Sequence, residues 1–91
     1  MIRNWCIYIL ELSDSSYYTG ITLDLNKRLE LHESGKGSKY VRSHLPIKDV
    51  VYIEFVQSHN DALKRESEIK KLTREQKERL IKNDLRQMCM V

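Results

Sequence analysis

Several side chains with chemical potential fall on helical stripes that a small protein would normally reserve for its core. Leu25, Arg28, Leu29 and His32 follow an i, i+3, i+4, i+7 spacing and so share one face of a helix. Glu66 sits between Ala62 and Ile69 at i, i+4, i+7 on another. A buried guanidinium or carboxylate is costly unless it is paired, hydrogen-bonded or bound to a metal. The structural account is an ion pair between Arg28 and Glu66. The chemical account is a carboxylate bound to metal. Tyr8 and Tyr18 lie ten residues apart, and Arg28 lies ten beyond Tyr18. Taken singly, such tyrosines are ordinary strand aromatics; with Arg28 and Glu66 they become candidates for proton handling.

These residues need elements to hold them. Trp5-Cys6-Ile7-Tyr8-Ile9-Leu10 is an apolar run without helical caps, suited to a strand covered on both faces. The turn formers Ser13 to Ser16 lead into Tyr17-Tyr18-Thr19-Gly20-Ile21-Thr22, which completes an antiparallel hairpin. Thr22 or Asp24 caps a helix that Gly35 ends. Val50 to Val56 is a third strand. Ser58 or Asn60 opens a helix running to about Leu72, and Thr73 with Gln76 forms a capping box for a last helix carrying Leu80, Ile81, Leu85 and Met88. The order strand, strand, helix, strand, helix, helix predicts an α+β domain: a small three-stranded antiparallel sheet flanked by helices. Trp5, Tyr52 and Phe55 are expected in its core.

Ninety-one residues suit one domain, 1–91, with a modest core. Cys6 and Cys89 stand at opposite ends and suggest no disulfide scaffold, so a reducing, cytoplasmic setting is expected. No secretory pattern and no membrane-spanning run is read. The net charge of +3 is too mild to diagnose a nucleic-acid partner, but its distribution is uneven. From Ser34 to Lys48 there are four cations, Lys36, Lys39, Arg42 and Lys48, and no acid. That basic loop is placed to hold backbone phosphates, with Tyr40 available to stack on an unpaired base. From Asp61 to Arg86, nine basic and six acidic residues read as a solvated helix face.

Taken together, Cys6-Ile7-Tyr8, Tyr18-Thr19-Gly20, Arg28, His32 and Glu66 resemble the GIY-YIG endonuclease superfamily, in its small stand-alone single-domain bacterial branch. The likeness runs from about Asn4 to Ile81 and includes Gly37-Ser38-Lys39-Tyr40 and Ala62-Leu63-Lys64-Arg65-Glu66. Two positions depart from the pattern: Cys6 replaces a glycine and Thr19 an isoleucine, while both tyrosines and the motif glycine, Gly20, remain. The resemblance implies a nuclease that cuts DNA with one Mg²⁺ or Mn²⁺ held by Glu66. Arg28 would meet the scissile phosphate, and Tyr8 and Tyr18 would be active-site residues, with Tyr18 favoured as base or water-positioning group. His32 would relay a proton or bind phosphate. Without an appended reading domain, low sequence specificity is expected, in endonuclease or exonuclease action serving DNA repair or recombination, with targeting left to a protein partner.

Two other classes of function stand beside this one. A nucleic-acid-binding module with little or no turnover would keep the basic loop and lack cleavage. An intracellular interaction domain would use the polar cluster structurally, and the tail Met88 to Val91 would offer apolar surface to a second copy.

Overall fold

The computed structural model describes residues 4–83. In chain order the elements are β1 (Trp5–Leu12), β2 (Tyr17–Thr22), α1 (Leu25–Glu33), α2 (Lys39–Ser43), β3 (Ile47–Val56), α3 (His59–Lys70) and α4 (Arg74–Lys82). The sheet has order β2-β1-β3, and β1 pairs antiparallel with both neighbours. The expected α+β architecture is therefore present, built around a central strand whose residues Cys6 to Leu10 are all buried.

Local chemistry explains the boundaries. Asp14 accepts hydrogen bonds from the Ser16 backbone N–H (3.0 Å) and hydroxyl (2.6 Å), which shapes the β1–β2 turn. Asp24 caps α1 by accepting from the Lys27 N–H, and Ser58 caps α3 by accepting from that of Asp61. The Thr73–Gln76 capping box is formed at the start of α4.

Side-chain alternation on β1 divides the core in two. One cluster gathers Cys6, Tyr8, Leu10, Leu12 and Val41, with Leu25 and Leu29 of α1 packed against it. The other gathers Ile7, Ile9, Tyr52 and Ile69, with Leu80 and Ile81 of α4 against it. The sheet is thus covered by α1 and α2 on one face and by α3 and α4 on the other.

Three expectations are corrected. The basic segment is not a plain loop: Ser38 caps the short helix α2, which Val41 anchors in the core. Third-strand residues begin at Ile47, so Lys48 belongs to β3 rather than to that segment. Phe55 is 63% exposed and is no core residue: near the end of β3 it stands outside both core clusters, whereas Tyr52 on the same strand is buried. Trp5 is half-buried and stacks on His59, with ring centroids 4.4 Å apart. Leu85, Met88 and the tail with Cys89 lie outside the described residues.

Thr19 is 3% exposed, and its hydroxyl has no hydrogen-bond partner among the described residues. A buried polar atom without a partner costs about 1–3 kcal/mol. Thr19→Val, which keeps the shape and removes that atom, is expected to raise unfolding stability by about 1 kcal/mol in a urea titration; an unchanged or lower stability would contradict this account.

Candidate active site

The centre of the site is a pair of polar side chains that the fold has buried. Tyr8 on β1 and His32 on α1 are each 1% exposed, and the tyrosine hydroxyl lies 2.9 Å from His32 Nε2. Two glycines make this possible. A Cβ on Gly20, which pairs with Tyr8 across β1 and β2, would stand 2.6 Å from the Tyr8 Cζ and closer still to its hydroxyl. A Cβ on Gly37 would meet the His32 ring, 3.0 Å from Cε1. The motif glycine is therefore the floor over which the Tyr8 ring extends, and Gly37 lets the chain after α1 close over the imidazole.

One hydrogen bond joins the two side chains, and which of them donates is set by the His32 tautomer. His32 Nδ1 has no hydrogen-bond partner among the described residues. Burial, assisted by the nearby Arg28 cation, lowers the His32 pKa and keeps the ring neutral. Enclosed in this way, His32 has no surface for a phosphate, which corrects the expectation that it binds one.

Around this pair stand three less buried groups. Burial drives the Tyr8 hydroxyl well above its ordinary pKa; Tyr18 adds to the rise, Arg28 opposes it, and Cys6 and Glu66 add to it. One hydroxyl thus feels Tyr18, Arg28 and Glu66 together, although Arg28 is on α1 and Glu66 on α3. Tyr18 is tilted 45° to Tyr8 at 6.4 Å and meets His32 edge-on at 5.6 Å. Arg28 is half-buried. The Glu66 side chain keeps 19% exposure and pairs with Lys70 at 3.3 Å. Among the described residues no Arg28–Glu66 ion pair is formed, so the purely structural account of those two is not what the fold adopts.

Helix α3 is fixed to β3 by the residue before Glu66. Arg65 Nε donates to both carboxylate oxygens of Glu54, each at 3.0 Å, and the Tyr52 hydroxyl donates to Glu54 Oε1 at 2.5 Å. Burial and the Glu54 carboxylate push the Tyr52 pKa up to about 12. This clamp sets the rotation of α3 and hence the direction of Glu66. Sequence reasoning did not find it, since a Glu on a strand and an Arg on a helix carry no signal of their own.

The expected phosphate-holding residues are divided. Lys36, Lys39 and Arg42 are exposed on or beside α2. Lys48 is exposed on β3 and donates to the Ser15 hydroxyl at 2.8 Å, which ties it to the β1–β2 turn. Tyr40 is 43% exposed, near-parallel to Tyr18 at 6.3 Å and stacked on His44 at 4.3 Å. His44 was not singled out in the sequence; its place after Tyr40 at i+4 on α2 was the available signal.

Comparison with known proteins agrees with this geometry. The GIY-YIG catalytic domain matches residues 4–80, and the chain belongs to the GIY-YIG family. Membership implies a nuclease acting on DNA, in a family whose nucleases are generally dependent on a divalent metal. It is 47% identical over 89 residues to a UPF0213 protein of Syntrophus aciditrophicus, covering 97% of this chain and 100% of that one. It is 51% identical over 85 residues to the UPF0213 protein YsiG of Lactococcus lactis, covering 92% and 81%. The solution structure of the UPF0213 protein BH0048 from Bacillus halodurans is similar, with 41% identity, TM-score 0.59 and coverage of 89% and 85%. That of EF2693 from E. faecalis shows 35% identity, TM-score 0.63 and coverage of 90% and 88%.

The donor set bears on the metal. Among the described residues no group of three or more His, Cys, Asp or Glu is gathered to hold an ion. A lone, partly exposed Glu66 fits Mg²⁺ or Mn²⁺, whose other positions water and phosphate oxygens fill, and does not fit a structural zinc. Among the described residues no helix is long and apolar enough to cross a membrane.

Two outcomes test the buried pair. His32 has a folded pKa below its ordinary 6.5, so below that pH the unfolded chain takes up a proton that the folded chain refuses. Stability should fall as pH drops through about 6.5, and His32→Phe should flatten that part of the curve even if it lowers stability overall. Gly20→Ala should cost roughly 1–3 kcal/mol by forcing a methyl into the Tyr8 ring, read as a lower urea midpoint; full stability would mean that the close approach has no consequence.

Proposed function

We propose that this single-domain chain is a metal-dependent phosphodiesterase, an endonuclease or exonuclease that hydrolyses DNA with low sequence specificity. We further assign it to the cytoplasm and to DNA repair or recombination, with a separate protein supplying its targeting. The observation that carries the reading is the GIY-YIG catalytic-domain match over residues 4–80, which takes in Tyr18, Arg28 and Glu66 and the buried Tyr8–His32 pair. A proton acceptor, a phosphate clamp and a carboxylate for a metal are the three kinds of group that hydrolysis of a diester needs.

Glu66 would hold one Mg²⁺ or Mn²⁺, which when bound offsets phosphate charge and eases deprotonation of water. Arg28 binds non-bridging oxygens of the scissile phosphate through its planar fork of donors, and stays charged at any physiological pH. Tyr18, less buried than Tyr8, orients the attacking water and would accept its proton only as a phenolate favoured by the neighbouring metal or Arg28. The water oxygen adds to phosphorus, one P–O bond of the diester breaks, and the departing oxygen takes up a proton from solvent. Tyr8 acts through hydrogen bonding, its oxygen held 2.9 Å from His32 Nε2. His32 is then a positioning residue. Lys36, Lys39 and Arg42 hold the backbone on the approach to Tyr18; Lys48 contributes from the turn side.

Purified protein is incubated with labelled single-stranded, duplex and branched DNA in Mg²⁺, Mn²⁺ or EDTA. Cleavage should require metal and fall on the order of a hundredfold or more in Arg28→Ala and Glu66→Gln, both still folded by circular dichroism. Equal activity in either variant would remove that residue from the site. Salt-sensitive binding with no cleavage of any substrate would make the chain a nucleic-acid-binding module instead.

A further inference from the structure

We infer that Tyr40, braced by His44, is a stacking platform for an unpaired nucleobase next to the bond that is cut, so that the site takes single-stranded or locally unpaired DNA in preference to continuous duplex. The inference rests on the nuclease reading for the identity of the bond, and on the α2 surface for the base.

Tyr40 is unusual among the exposed large apolar side chains, which also include Leu23, Leu31, Phe55 and Leu63. It alone of these forms a ring pair with a residue of the site, lying within 18° of parallel to Tyr18. A second neighbour, His44, is 21° from parallel; its Nδ1 donates to the Tyr40 carbonyl at 2.7 Å, and its Nε2 lies 3.5 Å from Asp14 Oδ2, an ion pair when the ring is protonated. The His44 carbonyl in turn accepts from the Ser13 hydroxyl at 2.8 Å and backbone N–H at 3.1 Å. The ring on which Tyr40 rests is therefore fastened to the β1–β2 turn, and α2 itself is pinned by buried Val41. An aromatic ring that is 43% exposed and already held in one orientation has little conformational entropy left to lose when a base arrives.

The surroundings say what would lie there. Lys36, Lys39 and Arg42 are exposed around Tyr40, and no acidic residue occurs from 34 to 48. Cations tracking a backbone beside an aromatic ring are the two parts of a single-strand binding groove. In a continuous duplex both faces of every base are already covered by stacked neighbours, so only an unpaired base can offer a face to Tyr40. Since Tyr40 adjoins Tyr18, the stacked base belongs to a nucleotide flanking the scissile phosphate.

The test uses full-length protein in EDTA and single-stranded oligonucleotides carrying one 2-aminopurine, whose fluorescence is quenched by stacking. Wild type should quench the probe and bind single strands at least fivefold more tightly than Tyr40→Leu, with Tyr40→Phe close to wild type and continuous-duplex binding little altered by either change. Equal single-strand affinity and quenching in Tyr40→Leu, or an equal loss on continuous duplex, would overturn the inference. Metal-dependent cleavage measured in parallel separates the two readings: quenching that depends on Tyr40 without cleavage removes the nuclease assignment alone, and cleavage without such dependence removes the platform alone.

Discussion

The hydrogen bond between Tyr8 and His32 is made where no water can replace it, and the surrounding structure is arranged to keep it. Both side chains have 1% of their surface left, so either one without the other would leave a polar atom stranded in the core. The bond joins β1 to α1, and thereby ties the central strand to the helix that carries Arg28. It also demands open space at two points, which Gly20 and Gly37 provide by lacking side chains. The geometry of one hydrogen bond thus dictates a glycine on β2, a glycine in the segment before α2 and the depth of α1 on the sheet.

A second constraint works from the other side of the sheet. Glu66 can address the same hydroxyl only if α3 is held at one rotation, and the Tyr52–Glu54–Arg65 clamp does this from β3. Burial works against the charge on Arg65, yet its hydrogen bonds to Glu54, Tyr52 and Glu68 outweigh that and raise its pKa. The Arg65 side chain is a third exposed, so its worth lies in orientation more than in net stability. Lys70, four residues beyond Glu66, balances the carboxylate from the solvent side.

Much of this was legible because periodicity and spacing report faces. The strand character of Trp5 to Leu10 and Tyr17 to Thr22 follows from their apolar and β-branched runs, and α1, α3 and α4 announce themselves by caps at Asp24, Ser58 and Thr73. What escaped was short or depended on neighbours distant in sequence. Five residues of α2 span too few turns for a helical period to emerge. Phe55 reads as core by type, but which end of a strand the core covers is not encoded in a single residue, and Phe55 near the end of β3 stands outside both clusters. The bracing of Tyr40 by His44 needs Asp14 and Ser13 from another element. Arg28 and Glu66 suggested each other as partners because opposite charges on core-facing stripes do so; the fold pairs Glu66 with Lys70 instead, and both charges bear on the Tyr8 hydroxyl.

The division between a buried frame and a more open set of reactive groups explains why the motif departures are harmless to the geometry. Thr19 pairs with Ile9, and side chains on β1 and β2 alternate, so Thr19 points to the face opposite the Tyr8–Gly20 pair. Cys6 pairs with Thr22 and is 2% exposed in the cluster that supports Tyr8, where a small apolar side chain fills the space that a glycine would leave empty. Neither position carries a group that meets solvent at the site. The residues that do, Tyr18, Arg28 and Glu66, come from β2, α1 and α3, three elements that the core packing holds together. Chemistry distributed in this way tolerates substitution between the motif residues, and is lost when the hydrogen bond or the clamp that aims those elements is removed.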